Sequence, residues 1–256
     1  MGRDMAELIR VEKNEHILTL TISRVDKRNA LNDAMYATLA GAMEDVETDS
    51  DVRVVVLCAD GEGFTAGNDI SDFATRGLSP ENIFRFLRAL ASATKPLAAA
   101  VQGKAVGIGT TLLLHCDYVV LAENAELITP FVNLGLVPEA GSSLLLPSRI
   151  GYARAYAMFA LGEPVTAQQA LAWGLANRIV PNIDLKETVL AVAQRLARQP
   201  PDALSATKKL MRQAGQISAQ IELENKLFLE RLASAEAQEA FTAFFERRAP
   251  DFSKVS

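Results

Sequence analysis

From Ile128 to Ser143 the chain is apolar, small or hydroxylic except at Asn133 and Glu139, and Glu139 is the only charged residue between Glu126 and Arg149. Pro138 precedes it and Gly141 follows two residues on. A carboxylate in such surroundings loses hydration, which raises its pKa and makes it a proton acceptor and donor near neutrality. A glutamate on a turn that simply reaches water would have the same local sequence, so this stretch alone leaves both readings open.

Two glycine-bearing loops offer a second kind of chemistry. Asp60 to Ile70 contains Gly61, Gly63, Ala66 and Gly67, and Gln102 to Gly109 contains Gly103, Gly107 and Gly109. Such residues let backbone approach a ligand closely. If the amides of Ala66 and Ile108 point into one cavity, they form a pair of donors for a developing oxyanion, an arrangement that needs no particular side chain. Two ordinary turns would read the same way. A dinucleotide-binding fingerprint does not fit, because its third glycine falls on Ala66 and no acidic residue ends a second strand at the expected distance. No Gly-x-Ser-x-Gly elbow surrounds Ser142 or Ser143. His16 and His115 read as core or surface histidines without an acid or nucleophile partner, and no spacing of His, Cys, Asp or Glu suits a metal.

These residues need elements to position them. Ile9 to Val11 and Ile17 to Ile22 alternate apolar and polar, as a β-hairpin does. Ser23 to Leu31 is a polar, basic loop, and Asn32 caps a helix with Met35, Leu39, Met43 and Val46 on one face. Val52 to Ala59 and Leu97 to Val101 are near-continuous apolar runs, as strands covered on both sides require. Each is followed by one of the glycine loops. Ser79-Pro80-Glu81 opens a helix that runs to about Thr94 before Pro96. Thr110 to His115 reads as helix and Asp117 to Ala122 as strand. The repeated pattern of strand, loop and helix predicts an α/β fold with its ligand outside the carboxyl ends of the strands. Beyond Arg149 the chain turns helical: 152–161, 167–173, 185–198, 202–213, 217–233 and 236–248, with a short strand at 177–180.

The 256 residues can bury a large core, and 49% apolar with 22% charged is ordinary for a globular protein. A net charge of −5 gives no electrostatic case for nucleic acid or an anionic membrane surface. Cys58 and Cys116 lie in apolar runs and read as reduced core residues. The first residues lack the apolar core of a signal peptide, no run approaches ~18 apolar residues, and the last residues are not a peroxisomal address. The expectation is a cytoplasmic protein.

Several segments together resemble the crotonase, or enoyl-CoA hydratase/isomerase, superfamily. Phe64-Thr65-Ala66-Gly67-Asn68-Asp69-Ile70 is similar to its first signature loop. Lys95 through Gly109, then Cys116-Asp117, is similar to the second. Lys27-Arg28-Asn29-Ala30-Leu31-Asn32, Gly174-Leu175-Ala176 with Ile179-Val180, and Pro201-Asp202-Ala203-Leu204 with Lys208 match other landmarks. The resemblance covers essentially the whole chain. It implies an α/β spiral of ββα units over residues 1–198, and a helical part over 199–256 that mediates assembly into a homotrimer or a dimer of trimers. It implies a coenzyme A thioester as substrate, with no separate cofactor. The oxyanion amides map onto Ala66 and Ile108. Arg24, Lys27, Ala30 and Leu31 belong to a loop that would touch the CoA phosphates and adenine. Gly67, Asn68, Asp69 and Ile70 would line the acyl-thioester end. Phe131, Asn133 and Leu134 fall in the segment expected against the substrate, with Asn133 positioning the base or a water. Phe244 and Arg247 would reach the CoA of a neighbouring subunit.

Hydratases of this superfamily use two glutamates, and the matching positions here hold Thr111 and Phe131. Neither moves a proton as a carboxylate does. The segment from Thr129 to Ser143 instead resembles the Δ3,Δ2-enoyl-CoA isomerases, where one glutamate makes all the proton transfers, and Glu139 occupies that position. The resemblance therefore implies an isomerase of 3-enoyl-CoA thioesters. A hydratase, another crotonase-type reaction and a non-catalytic CoA-binding module are the alternatives.

Overall fold

The structure, a computed structural model, describes residues 7–71 and 80–255. Strands β1 (Ile9–Asn14) and β2 (Ile17–Ile22) form the antiparallel hairpin, with Glu15 at positive φ in its turn. Helix α1 (Asp33–Thr48) follows, capped by the Asn32 side chain, which accepts from the Met35 amide at 3.0 Å. Strand β3 (Val54–Ala59) pairs with β2 in parallel. The cap expected at Ser79 lies outside the described residues; the helix itself, α2, spans Glu81–Ser92. Strand β4 (Leu97–Val101) pairs with β3, β6 (Tyr118–Ala122) with β4, and β9 (Arg178–Val180) with β6, all in parallel. The resulting six-stranded sheet has the order β1-β2-β3-β4-β6-β9.

Both faces of this sheet are covered, which is why β3 and β4 read as unbroken apolar runs. Val55, Leu57, Leu97, Ala99 and Val101 face the core that contains α1 and α2. Val54, Val56, Cys58, Ala98 and Ala100 alternate onto the opposite face, where Leu185, Val189 and Ala193 of α7 (Leu185–Ala197) cover them.

A second sheet joins β5 (Lys104–Val106), β7 (Glu126–Ile128) and β8 (Val165–Thr166). Its strands of two and three residues are too short to leave a periodic signature. The segment expected to be helical before β6 divides into a single turn, α3 (Ile108–Thr111), and a 3-10 turn (Leu112–His115). Helix α4 (Ser142–Ile150), not foreseen, starts directly after the Glu139 turn; α5 (Tyr152–Leu161) and α6 (Ala167–Ala172) follow. Helices α8 (Pro201–Met211), α9 (Ala214–Leu232) and α10 (Ala235–Glu246) close the chain. They fold back over the α/β part: Ile217, Ile221 and Ala237 belong to the same core as α1 and α2. Gly135 is required at that contact, since its φ is +69° and a Cβ there would lie 2.7 Å from the Ala237 amide nitrogen.

Candidate active site

Glu139 lies between the 3-10 turn Val132–Leu134 and α4, and is only 4% exposed. The backbone that carries it is unusual. Ala140 and Gly141 have φ of +61° and +70°, so two successive left-handed residues turn the chain into α4. The Ala140 carbonyl accepts from His115 Nε2 at 2.7 Å. The Gly141 amide donates to Glu224 of α9 at 2.5 Å, and the Ser143 amide donates to the same carboxylate at 2.8 Å. The Thr111 hydroxyl donates to Glu139 Oε1 at 3.0 Å. Burial pushes the Glu139 carboxyl up to about 8; the Thr111 hydroxyl opposes this and the negative Glu224 adds to it. A group so placed takes and returns protons near neutrality.

Glu139 and Asn68 sit against a narrow apolar cavity of about 20 Å³, walled by Ile83, Phe84 and Leu87 of α2 and by Phe228 and Leu229 of α9. That volume holds about one water. Tyr36 of α1, fully buried, donates its hydroxyl to the Asn68 side chain.

The glycine loops meet as their spacing suggested, but with one change of register. Thr65 bridges Ala105, and the Cβ position of Gly67 (φ +90°) is 3.0 Å from the Val106 carbonyl oxygen. The Ala66 amide, expected as an oxyanion donor, is occupied: it donates to the Arg28 carbonyl at 3.0 Å. The Gly67 amide donates to Thr65 Oγ1 at 3.1 Å, and the Asp69 amide to the Leu31 carbonyl at 2.9 Å. Among the described residues the Asn68 amide has no such acceptor, because the segment is extended beside Leu31 and successive amides alternate in direction. The Ile108 amide is likewise without a backbone acceptor, at the start of α3, while Gly107 donates to Ile128 at 2.9 Å. Among the described residues, the Asn68 and Ile108 amides thus remain open as donors, and the Ala66 amide does not.

Other expected residues divide. Lys27 and Arg28 are exposed, and Ala30 is half-buried with its carbonyl accepting from Arg24 at 2.9 Å. Arg24, expected at the CoA phosphates, points inward to Asp69 at 2.7 Å, the two side chains being 15% and 14% exposed. Leu31 is a core side chain, 2% exposed, that meets the loop through its backbone. Ile70 is half-buried beside Asp69, which also accepts from the Ser71 amide. Phe131 does not line the cavity beside Glu139; its ring packs on Phe159 with centroids 6.1 Å apart. Asn133 is exposed, and its Nδ2 donates to the Leu161 carbonyl at the end of α5 at 3.4 Å, so it does not position the base. Leu134 is half-buried against the core. Phe244 and Arg247 are exposed at the end of α10, away from the cavity of their own chain.

His115 is buried and held neutral, its pKa pushed down to about 3 by burial, and burial pushes the Cys116 thiol up to about 12. Neither titrates near neutrality. A larger cavity of about 640 Å³ lies at the amino ends of β4, β6 and β9. Its basic groups brace the backbone: Lys208 pairs with Asp117 at 2.7 Å, Arg149 donates to Leu114, and Arg212 to Leu90 and His115. Among the described residues no cluster of His, Cys, Asp and Glu suits a metal ion, and no helix is long and apolar enough to cross a membrane.

Glycine loops at the carboxyl ends of parallel strands, one buried carboxylate facing them and helices folded over the opening define the crotonase class of α/β spiral. The profile described as enoyl-CoA hydratase/isomerase matches residues 12–255, and the chain belongs to that family. It is 35% identical to the 1,2-epoxyphenylacetyl-CoA isomerase of Escherichia coli (strain K12), over 97% of this chain and 99% of that one. It is 36% identical to the 2,3-dehydroadipyl-CoA hydratase of the same strain, again over 97% and 99%. The crystal structure of an enoyl-CoA hydratase/isomerase from Pseudoalteromonas atlantica T6c superposes with a TM-score of 0.92 at 41% identity, covering 96% of this chain and all of that one.

Proposed function

We propose that the protein is an acyl-CoA isomerase that moves a 3-enoyl double bond to the 2-position, with Glu139 as its one proton shuttle. The observation that carries this reading is that Glu139 is buried against the cavity with a hydroxyl, Thr111, as its hydrogen-bond partner, while Phe131 lies in the core. A single carboxylate over the acyl chain removes the proton from C2. The electrons of that C–H bond pass to the thioester oxygen, giving a dienolate. The same carboxyl then delivers its proton to C4, and the negative charge returns through the conjugated system to leave the double bond between C2 and C3. The Asn68 and Ile108 amides are the donors for the dienolate oxygen; losing one such donor typically costs ~10²–10³ in rate.

Coenzyme A enters as part of the substrate, and Lys27 and Arg28 are the exposed cations of the early loop that suit its phosphates. The similarity to an epoxyphenylacetyl-CoA isomerase supports an isomerase reading and extends it to ring or conjugated acyl groups. Assembly as a homotrimer or a dimer of trimers belongs to the same reading, with the exposed Phe244 and Arg247 offered to a neighbour's CoA.

The similarity to a dehydroadipyl-CoA hydratase favours a second reading, addition of water across a 2-enoyl bond. Glu139→Gln should lower isomerisation of a 3-enoyl-CoA by ~10²–10⁴ with acyl-CoA affinity nearly unchanged, and an active variant rejects the assignment. Loss of the conjugated absorbance of crotonyl-CoA on incubation with the wild type would favour the hydratase.

A further inference from the structure

Glu224 stands on the buried face of α9, three residues after Ile221, and is itself only 3% exposed. Both of its oxygens accept. Oε2 takes the Gly141 amide at 2.5 Å; Oε1 takes the Ser143 amide at 2.8 Å and the Ser143 hydroxyl, which in turn accepts from Gln220 Nε2 at 2.8 Å. Burial raises the pKa of this carboxyl, while the donors from Ser143 and Gly141 oppose burial and favour the ionised form. Its partners are the amides that open α4, the positive end of that helix.

The placement bears on Glu139, two residues before Gly141. The left-handed φ of Ala140 is a conformation that alanine holds only when its surroundings enforce it. Here the enforcement comes from both sides, His115 on the Ala140 carbonyl and Glu224 on the Gly141 amide. Without Glu224, the amides at 141 and 143 would lose this acceptor, and the positive end of α4 would act on the neighbouring carboxylate.

We propose that Glu224 is the positioning residue of the base: it clamps the turn that carries Glu139 and masks the positive end of α4, so that Glu139 stays a strong proton acceptor. The inference rests on the reading of Glu139 as the proton shuttle. The groups that face Glu139 are Thr111, the Tyr36 phenol of α1 and Glu224. Arg85 of α2 pairs with Glu44 at the surface and Arg88 lies toward the same carboxylate, while Glu222, Lys226 and Glu230 of α9 are exposed. Glu224 is therefore the neighbouring carboxylate that acts on Glu139, adding to the larger effect of burial.

The test is the pH dependence of kcat for wild type, Glu139→Gln and Glu224→Gln. Glutamine keeps the size and one accepting oxygen but removes the charge. The acid limb in Glu224→Gln should move to lower pH by about one unit, and the plateau kcat should fall about 10-fold as the turn loosens. A limb that stays in place, whatever happens to kcat or Tm, overturns the proposal. If Glu224→Gln does not fold, Ser143→Ala, which removes one donor and keeps the charge, should lower kcat about threefold with KM unchanged; an unchanged kcat overturns it there. An active Glu139→Gln removes the base itself, whereas an inactive Glu139→Gln beside an unshifted Glu224→Gln removes only the clamp.

Discussion

The hydroxyl of Thr111 donates to Glu139 Oε1 at 3.0 Å, so one of the two positions matched to a hydratase glutamate here supports a carboxylate at a third position. A donor on a buried carboxylate favours its ionised form and holds its pKa below the value that burial alone would impose. Thr111→Val should therefore raise the apparent pKa of Glu139 by about one unit. Activity near pH 7 should fall several-fold and recover toward pH 9, as read from the kcat profile. This shift is opposite in sign to that expected for Glu224→Gln.

Burial of Glu139 also sets a stability profile. Its folded-state pKa is about 8, against 4.5 for an ordinary glutamate, so between those values the folded chain holds a proton that the unfolded chain has released. Stability from this group is full below the unfolded value and falls as pH rises through the window. Glu139→Gln removes the titration. The variant should gain on the wild type from about pH 5 to about pH 9, by a few kcal/mol at most; parallel Tm curves for the two proteins would contradict this.

Position 67 connects the two donor loops. Gly67 has φ +90°, and a Cβ there would lie 3.0 Å from the Val106 carbonyl oxygen. Gly67→Ala should push the loops apart, misplace the Asn68 amide and lower kcat by roughly 10²-fold. The strained φ should also lower stability by about 1–3 kcal/mol. Kinetics and thermal unfolding of the same variant separate the two effects.

Arg24 and Lys27 make contrasting predictions. The Arg24–Asp69 pair is mostly buried, and Arg24→Ala removes the cation from Asp69 but leaves its bonds from Ser71, so it should cost about 2 kcal/mol, less than a fully buried pair would. Lys27 is exposed, and Lys27→Ala should leave Tm unchanged while raising KM for an acyl-CoA a few-fold, with a weaker salt dependence than the wild type.

The elements that carry the site were legible where burial imposes a pattern. β3 and β4 gave apolar runs because both faces are covered, and α1 gave a 3.6 period and an Asn32 cap. Isolation, one charge in a long uncharged stretch, singled out Glu139, but its burial could not be told there from a turn that reaches water. Which amide of the first glycine loop stays open was not legible, because a motif marks a loop while only the pairing with Leu31 decides which of its alternating amides is taken. Phe131 and Asn133 were placed by neighbourhood in sequence, but the 3-10 turn sends one into the core and the other to the surface. Glu224 left a signal that could have been read. With Ile217 and Ile221 it completes an apolar-face spacing of four and three, and a charge on such a face calls for partners.

The bonds from Glu224 to Gly141 and Ser143 span 83 and 81 residues. In a chain made from its amino end, the sheet, the glycine loops and Glu139 all emerge before the residue that holds the base in place. On refolding, contacts at such separation close late. Sheet content should thus return ahead of catalytic competence, and a chain cut before α9 would carry the base without its clamp. With Glu139 as the proposed base, activity would await the arrival of α9.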